Sequence, residues 1–311
     1  MEVVKIDGLV KRFGDTVALD NLSLNVKEGE IYGLLGPNGA GKTTAINIMC
    51  GLITADRGQI CIFGKDIYKE PDFIKNNIGV VPQEIAIYED LSAYENVSFF
   101  ASLYGLRGKA LKEGSEMALE FVGLDDRAYE KPAGFSGGMK RRLNIACSIA
   151  HRPKLIIMDE PTVGIDPQSR NHILESVKKL NESGSTIIYT THYMEEAEAI
   201  CTRIAIMDYG KIVAEGSKDE LERIVTDVNS VIITVDSMDA IDKDKLLNIN
   251  GIRNIEIREN TIKITSSKEI ENLDKIITYF ISSHIPIRHV EAQTPNLETV
   301  FLTLTGRKLR D

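Results

Sequence analysis

The sequence predicts an α/β protein: a parallel sheet with flanking helices over roughly the first two-thirds, then a smaller α+β domain. Three patterns carry this prediction. Residues 154–158 and 186–190 are apolar runs without polar alternation, as strands covered on both faces require. The run at residues 30–35 passes through a glycine-rich turn, residues 36–41, straight into helical periodicity. Near residues 216–218 the pattern changes, and alternating strand-like segments replace the continuous ones.

Taken in order, strand-like runs open the chain at residues 3–6, 17–26 and 30–35. Lys42 to Cys50 reads as a helix with Ile46 and Met49 inward. Residues 84–150 form a helical stretch in which Tyr94, Val97, Phe100 and Ala101, and Tyr104 share one face. The strand at 154–158 lies between a proline and two acids, and a helix over 194–199 follows the strand at 186–190. The first domain is expected to span residues 1–216 and the second 217–311. The second domain offers strands at 231–235, 252–257 and 261–265, the last with Ile262 and Ile264 alternating against Lys263. A helix with Ile270, Leu273, Ile276 and Phe280 on one side and a strand at 287–292 come next. Thr294 and Pro295 suit an N-cap and first turn. They precede a helix whose Leu297, Val300, Phe301 and Leu304 follow i, i+3, i+4, i+7. This mixture fits a split βαβ sandwich.

Composition excludes several classes. Of 311 residues 43% are hydrophobic and 27% charged, the make-up of a globular chain with a substantial core. The formal net charge of −9 argues against nucleic acid as a partner, because phosphate binding needs surplus cations. No uncharged apolar run is long enough to span a bilayer, and the N-terminus shows no secretory pattern. Cys50, Cys61, Cys147 and Cys201 are far apart, without metal-ligand spacing, and read as reduced core thiols of a cytoplasmic protein.

Gly36-Pro37-Asn38-Gly39-Ala40-Gly41-Lys42-Thr43-Thr44 has the spacing of a phosphate loop. Glycines allow close backbone approach, and the helix start directs its amides at an anion. Lys42 supplies charge beside the β- and γ-phosphates of a nucleotide, and the Thr43 hydroxyl suits Mg²⁺. The strand ending in Asp159 and Glu160 offers a metal carboxylate and a general base for water. Alone, such an ending also suits a helix cap or a solvated edge. Ser136-Gly137-Gly138 opens a helix with bare amides, a second anion site; alone it reads as a capped amphipathic helix with a basic first turn.

These motifs resemble, in kind and order, the ATP-binding-cassette ATPases over roughly residues 1–216. They are GPNGAGKTT, VPQ around Gln83, FSGGMKRR, LIIMDEP, GIDP and TTH at Thr190–His192. The resemblance implies a mixed-sheet core with antiparallel and helical subdomains, the latter at about 84–150. It implies that Gln83 joins Mg²⁺ and the attacking water to the transporter contact, that His192 contacts the γ-phosphate, and that Phe13 stacks on adenine. It also implies that Ser136, Gly137, Gly138 and Asp166 act in trans, on ATP held by a second protomer. Phe135 and Met139 depart from the usual Leu-Ser-Gly-Gly-Gln. The ending from Thr294 to Gly306 resembles drug- and sodium-exporter ATPases of the ABC-2 type. A separate integral-membrane permease would then recruit the chain to the cytoplasmic face of the membrane. The aromatics Tyr88, Tyr94, Phe99, Phe100 and Tyr104 suit either a permease groove or a subdomain core. The alternatives are a soluble cassette ATPase without a transport role and a different phosphate-loop enzyme. For the latter no Asn-Lys-x-Asp base reader is present.

Overall fold

The computed structural model describes residues 1–225, 228–237, 241–267, 270–293 and 297–305. These form two compact units divided between Lys218 and Asp219.

In the first unit the strands are β1 (Glu2–Phe13), β2 (Thr16–Lys27), β3 (Ile31–Leu35), β4 (Arg57–Ile62) and β5 (Lys65–Asp66). They continue with β6 (Ile78–Val81), β7 (Leu155–Asp159), β8 (Thr186–Thr191), β9 (Arg203–Asp208) and β10 (Lys211–Gly216). The helices are α1 (Lys42–Met49), α2 (Pro71–Asn77), α3 (Ala93–Leu103) and α4 (Gly108–Phe121). After them come α5 (Gly137–Ile149), α6 (Pro167–Glu182) and α7 (Met194–Ile200).

A six-stranded sheet runs in the order β10-β9-β3-β8-β7-β6, parallel except for β10, and β2-β1-β4-β5 form a separate antiparallel sheet. The unbroken apolar runs have a direct cause. Along the central strands, successive side chains enter opposite cores: Leu155, Ile157 and Ile188 pack with α1 and the antiparallel sheet. Ile156, Met158, Ile187 and Tyr189 pack with the helical subdomain. With a hydrophobic layer on each side, the middle of each strand stays apolar and the buried polar residues, Asp159, Thr186, Thr190 and Thr191, fall at the strand ends.

Three expectations change. The helix opened by Ser136 is buried nearly all round, Arg141 included, because α5 runs between the sheet and its helical neighbours. The helix expected to include Ile270 begins at Leu273. β4, β5, β6, β9 and β10 escaped the sequence reading; β5 and β6 have only two and four residues, and β4 and β10 are half-exposed, a weaker pattern than that of the central strands.

α8 (Lys218–Val225) leads into the second unit, which holds β11 (Val228–Val235), α9 (Lys243–Leu247), β12 (Ile252–Arg258) and β13 (Thr261–Ser267). Next come α10 (Leu273–Ser282), β14 (Ile287–Gln293) and α11 (Leu297–Thr305). The sheet order β12-β13-β11-β14, antiparallel throughout, is the βαββαβ topology of a split βαβ sandwich. Ile233, Ile262 and Ile264 fill its core against Ile276 and Phe280. The Thr294–Pro295 cap lies outside the described residues.

Candidate nucleotide site

β3, buried at every position, delivers the chain into the phosphate loop. A Cβ on Gly36 would lie 2.3 Å from the Met207 carbonyl oxygen, and one on Gly41, where φ is 106°, 2.5 Å from that of Ala18. The loop therefore packs backbone to backbone against β9 and β2, and only glycine fits. Gly39 differs: nothing lies within 4 Å of its Cβ direction, so that side of the turn is open. Pro37 and Ala40 are buried, Asn38 and Gly39 exposed. The amides of Lys42, Thr43 and Thr44 precede the first bond of α1, Ala45 N–H to the Gly41 carbonyl at 2.9 Å. They lack intrahelical acceptors and form a donor cluster suited to an anion.

The Lys42 ammonium, in a residue only 4% exposed, donates to the carbonyls of Gly36 at 2.7 Å and Pro37 at 3.2 Å. It also lies 2.9 Å from Glu160 Oε1. Glu160 is itself 4% exposed and sits just past β7 with φ of 46°, a left-handed conformation costing on the order of 1 kcal/mol. Thr190 on the adjacent strand secures it. The Glu160 amide donates to Thr190 Oγ1 at 2.9 Å, and that hydroxyl donates to Asp159 Oδ1 at 2.7 Å. One buried threonine thus orients both acids. His192 Nδ1 lies 3.2 Å from Glu160 Oε2. The Glu160 carboxylate is therefore bracketed between a lysine and an imidazole, one oxygen to each.

Two oxygen donors open to a cation here are the exposed Thr43 hydroxyl and the Asp159 carboxylate. Among the described residues no group of three or more His, Cys, Asp or Glu side chains could hold a metal. Two oxygen donors beside a phosphate loop suit Mg²⁺, which takes most of its remaining ligands from phosphate and water.

Ser136, Gly137, Gly138 and Asp166 form a second group. Ser136 Oγ accepts from the Met139 amide at 3.3 Å and caps α5. Asp166 caps α6 by accepting from the Ser169 amide at 2.9 Å, which holds its carboxyl below the usual range. The two caps abut: a Cβ on Gly138 would lie 2.1 Å from Ser169 Oγ. No described hydrogen bond or ion pair joins this group directly to Lys42 or Glu160. Gln83, exposed beyond β6, has its carbonyl held by Arg141 Nη2 at 2.5 Å. Phe13 is 51% exposed at the end of β1, its ring free for a stacking partner apart from Lys11 at 5.4 Å.

Sequence reading missed the part played by Arg141. Taken as part of a basic first turn, it is 3% exposed and grips the carbonyls of Pro82 and Gln83. It also missed Glu196, one of four acids in the last 25 residues before β9 that look solvated on composition alone. The available signal was spacing: Glu196 lies four residues before Ile200, on the buried face of α7.

A family model described as ABC transporter matches residues 19–163. Over 99% of this chain and 100% of its own length, the linearmycin resistance ATP-binding protein LnrL of Bacillus subtilis is 44% identical. The chain belongs to the ATP-binding proteins of ABC transporters. Members of this family bind and hydrolyse ATP, and so does this ATPase. It is also 33% identical to the daunorubicin/doxorubicin resistance ATP-binding protein DrrA of Streptomyces peucetius, over 99% of this chain and 94% of that one. Among solved structures, an ATP-binding subunit of an ABC transporter superposes with a TM-score of 0.65 at 30% identity, covering 71% of this chain and 92% of that one. Another, at 0.62 and 29%, covers 69% of this chain and 98% of a cassette seen as a post-hydrolysis dimer with ADP and phosphate.

Proposed function

We propose that this ABC ATPase powers export through a separate integral-membrane permease of the ABC-2 type, working as a dimer on the cytoplasmic face of the membrane. The observation that carries the chemistry is the buried Glu160 carboxylate, held between His192 and Lys42, the first residue of the phosphate loop's helix. The export role rests on full-length similarity to resistance ATP-binding proteins and to the Nod factor export ATP-binding protein I of Sinorhizobium fredii, 34% identical over 99% of this chain.

In this reading the amides of residues 39–44 and the Lys42 ammonium take the β- and γ-phosphates of ATP. Phosphate oxygens compete with Glu160 for Lys42 and release the carboxylate to accept a proton from the attacking water. His192, hydrogen-bonded to Glu160, orients the γ-phosphate side of the site. Thr43 and Asp159, with Gln83, would hold Mg²⁺, which would supply positive charge to offset that developing on the phosphates. Ser136, Gly137, Gly138 and Asp166 face the nucleotide of a second protomer, and Phe13 stacks on adenine. Each chain supplies one phosphate loop and one Ser-Gly-Gly helix start, so two copies complete two sites.

For the permease contact, the aromatics divide. Tyr88 and Phe99 are 50% and 39% exposed and pack edge to face at 5.2 Å, whereas Tyr104 stacks on His151. Tyr88 and Phe99 are the permease-facing pair. No helix among the described residues is long and apolar enough to cross a membrane.

Affinity capture of the full chain from solubilised membranes tests this role. Retention of a multi-span membrane protein together with ATP hydrolysis is expected. Hydrolysis by a chain that retains no such partner contradicts it.

A further inference from the structure

One buried charge lies outside the machinery above. Glu196 on α7 is 2% exposed, yet three hydroxyls converge on its carboxylate. Thr162 Oγ1 donates between the two oxygens at 2.7 and 2.9 Å, Tyr189 OH at 3.0 Å and Thr191 Oγ1 at 2.9 Å. The Arg170 guanidinium adds the compensating charge, its Nε 3.5 Å from Oε1. Burial and the Glu196 charge together raise the Tyr189 phenol well above its ordinary range, so it remains a donor.

A buried carboxylate is costly until its partners offset it, and volume alone could be filled by an apolar side chain. What the carboxylate uniquely provides is a set of directional ties. Thr162 lies two residues past Glu160, on the turn that leaves the left-handed position. Thr191 immediately precedes His192, and its hydroxyl also accepts from the Tyr193 amide at 2.9 Å, fixing the chain on the far side of the histidine. Arg170 lies on α6, the helix capped by Asp166, and rests over the Tyr193 ring at 4.6 Å. One side chain therefore touches the segments that carry Glu160, His192 and Asp166.

We propose that Glu196 is a positioning residue for hydrolysis: its carboxylate fixes the Glu160 turn relative to the His192 turn, and through Arg170 ties both to the Asp166 helix. The Arg170 contact is the loosest tie. Its Nε is buried and makes no hydrogen bond, so movement of α6 would tighten or release it while the three hydroxyl bonds stay in place. That makes the Arg170–Glu196 contact the route by which an event at Asp166 reaches the base. The inference rests on Glu160 being that base.

The test uses the full chain carrying Glu196→Gln, which keeps the volume and removes the charge. Expected are a fall in kcat of about tenfold or more, as for a displaced reacting group, with ATP affinity unchanged within about twofold. A merely structural role would lower thermal stability, ATP affinity and kcat together. Thr162→Val, which removes a single tie, should show the same kcat-only loss at smaller size and serves if the first variant does not fold. Arg170→Gln should lower kcat several-fold alone and add little on top of Glu196→Gln. Wild-type kcat in Glu196→Gln, or losses of affinity and turnover in parallel, would overturn the proposal. Glu160→Gln is run alongside: if it keeps wild-type turnover the base assignment fails, an outcome separate from any result at Glu196.

Discussion

Two helices in this protein begin with glycine-rich turns, and they are finished in opposite ways. At α1 the turn is packed onto two strands, and its lysine is buried and paired with Glu160. At α5, Ser136 and Gly137 are exposed, and nothing lies within 4 Å of the Gly137 Cβ direction. Both present unpaired amides to an anion. The first carries its own cation and base, set against each other; at the second, the first-turn Lys140 is paired with Glu89 and Asp166 is taken up by the Ser169 amide. The difference explains why one chain looks like half a catalyst. A complete half-site and a bare half-site in the same protomer make sense when two protomers face each other.

The largest expected effect breaks the first site without emptying it. Glu160→Gln should slow turnover by about a hundredfold or more while ATP binding persists, as loss of a general base requires. Single-turnover hydrolysis beside equilibrium nucleotide binding measures this, and undiminished turnover would refute the base. Next comes the second site. Ser136→Arg places a bulky cation at the bare helix start and should abolish ATP-driven pairing, cutting steady-state hydrolysis by about tenfold or more. Nucleotide affinity of the isolated protomer should hold within about twofold; its loss would show that the helix acts on its own chain's ATP.

Lys42→Ala removes charge from the ground-state phosphates and should weaken ATP binding by roughly tenfold or more. Titration with a fluorescent nucleotide is the check, and normal affinity would count against the loop. It also leaves Glu160 buried with only His192 beside it, so a lower melting temperature without nucleotide is expected.

The smallest effect probes the far end of α5. His151, just beyond it, stacks on Tyr104 at 3.6 Å and has Nε2 3.0 Å from the Ile78 carbonyl. Its Nδ1 is buried without a partner, and burial pushes the ring down to about 4. The folded state therefore favours the neutral ring, while the unfolded chain takes up a proton near pH 6.5. The stabilisation is complete above that pH and declines as pH falls towards 4, by about 2–3 kcal/mol at most. Thermal melts between pH 7 and 4.5 should fall less steeply in His151→Phe than in wild type; identical slopes would contradict a neutral buried ring.

Much of this was legible in the sequence because the site is built at strand ends. An unbroken apolar run stops where the sheet stops, so the residues after Leu35 and Met158 mark the sheet's catalytic edge. Glycines forced by backbone contact at Gly36 and Gly41 announce the loop in the same way. Edge and peripheral strands such as β10 were not legible, because a half-exposed alternation of six residues is a weak pattern. Neither were Arg141, Glu196 and the double duty of Thr190. Arg141 and Thr190 are polar residues buried by partners thirty or more positions away. Glu196 is buried by one such partner besides two nearby, so spacing can suggest its burial but not which hydroxyls await it. The C-terminal sandwich falls between: Ile262 and Ile264 gave away β13, but nothing local distinguishes Ile270 outside α10 from Leu273 within it.

Small-angle scattering of Glu160→Gln, saturated with Mg-ATP and compared with nucleotide-free and Mg-ADP samples, interrogates the shared site most directly. The expected result is a particle of twice the protomer mass with ATP alone, reverting to single protomers with ADP. Single protomers in every sample would mean that the two glycine-rich helix starts never meet across a nucleotide.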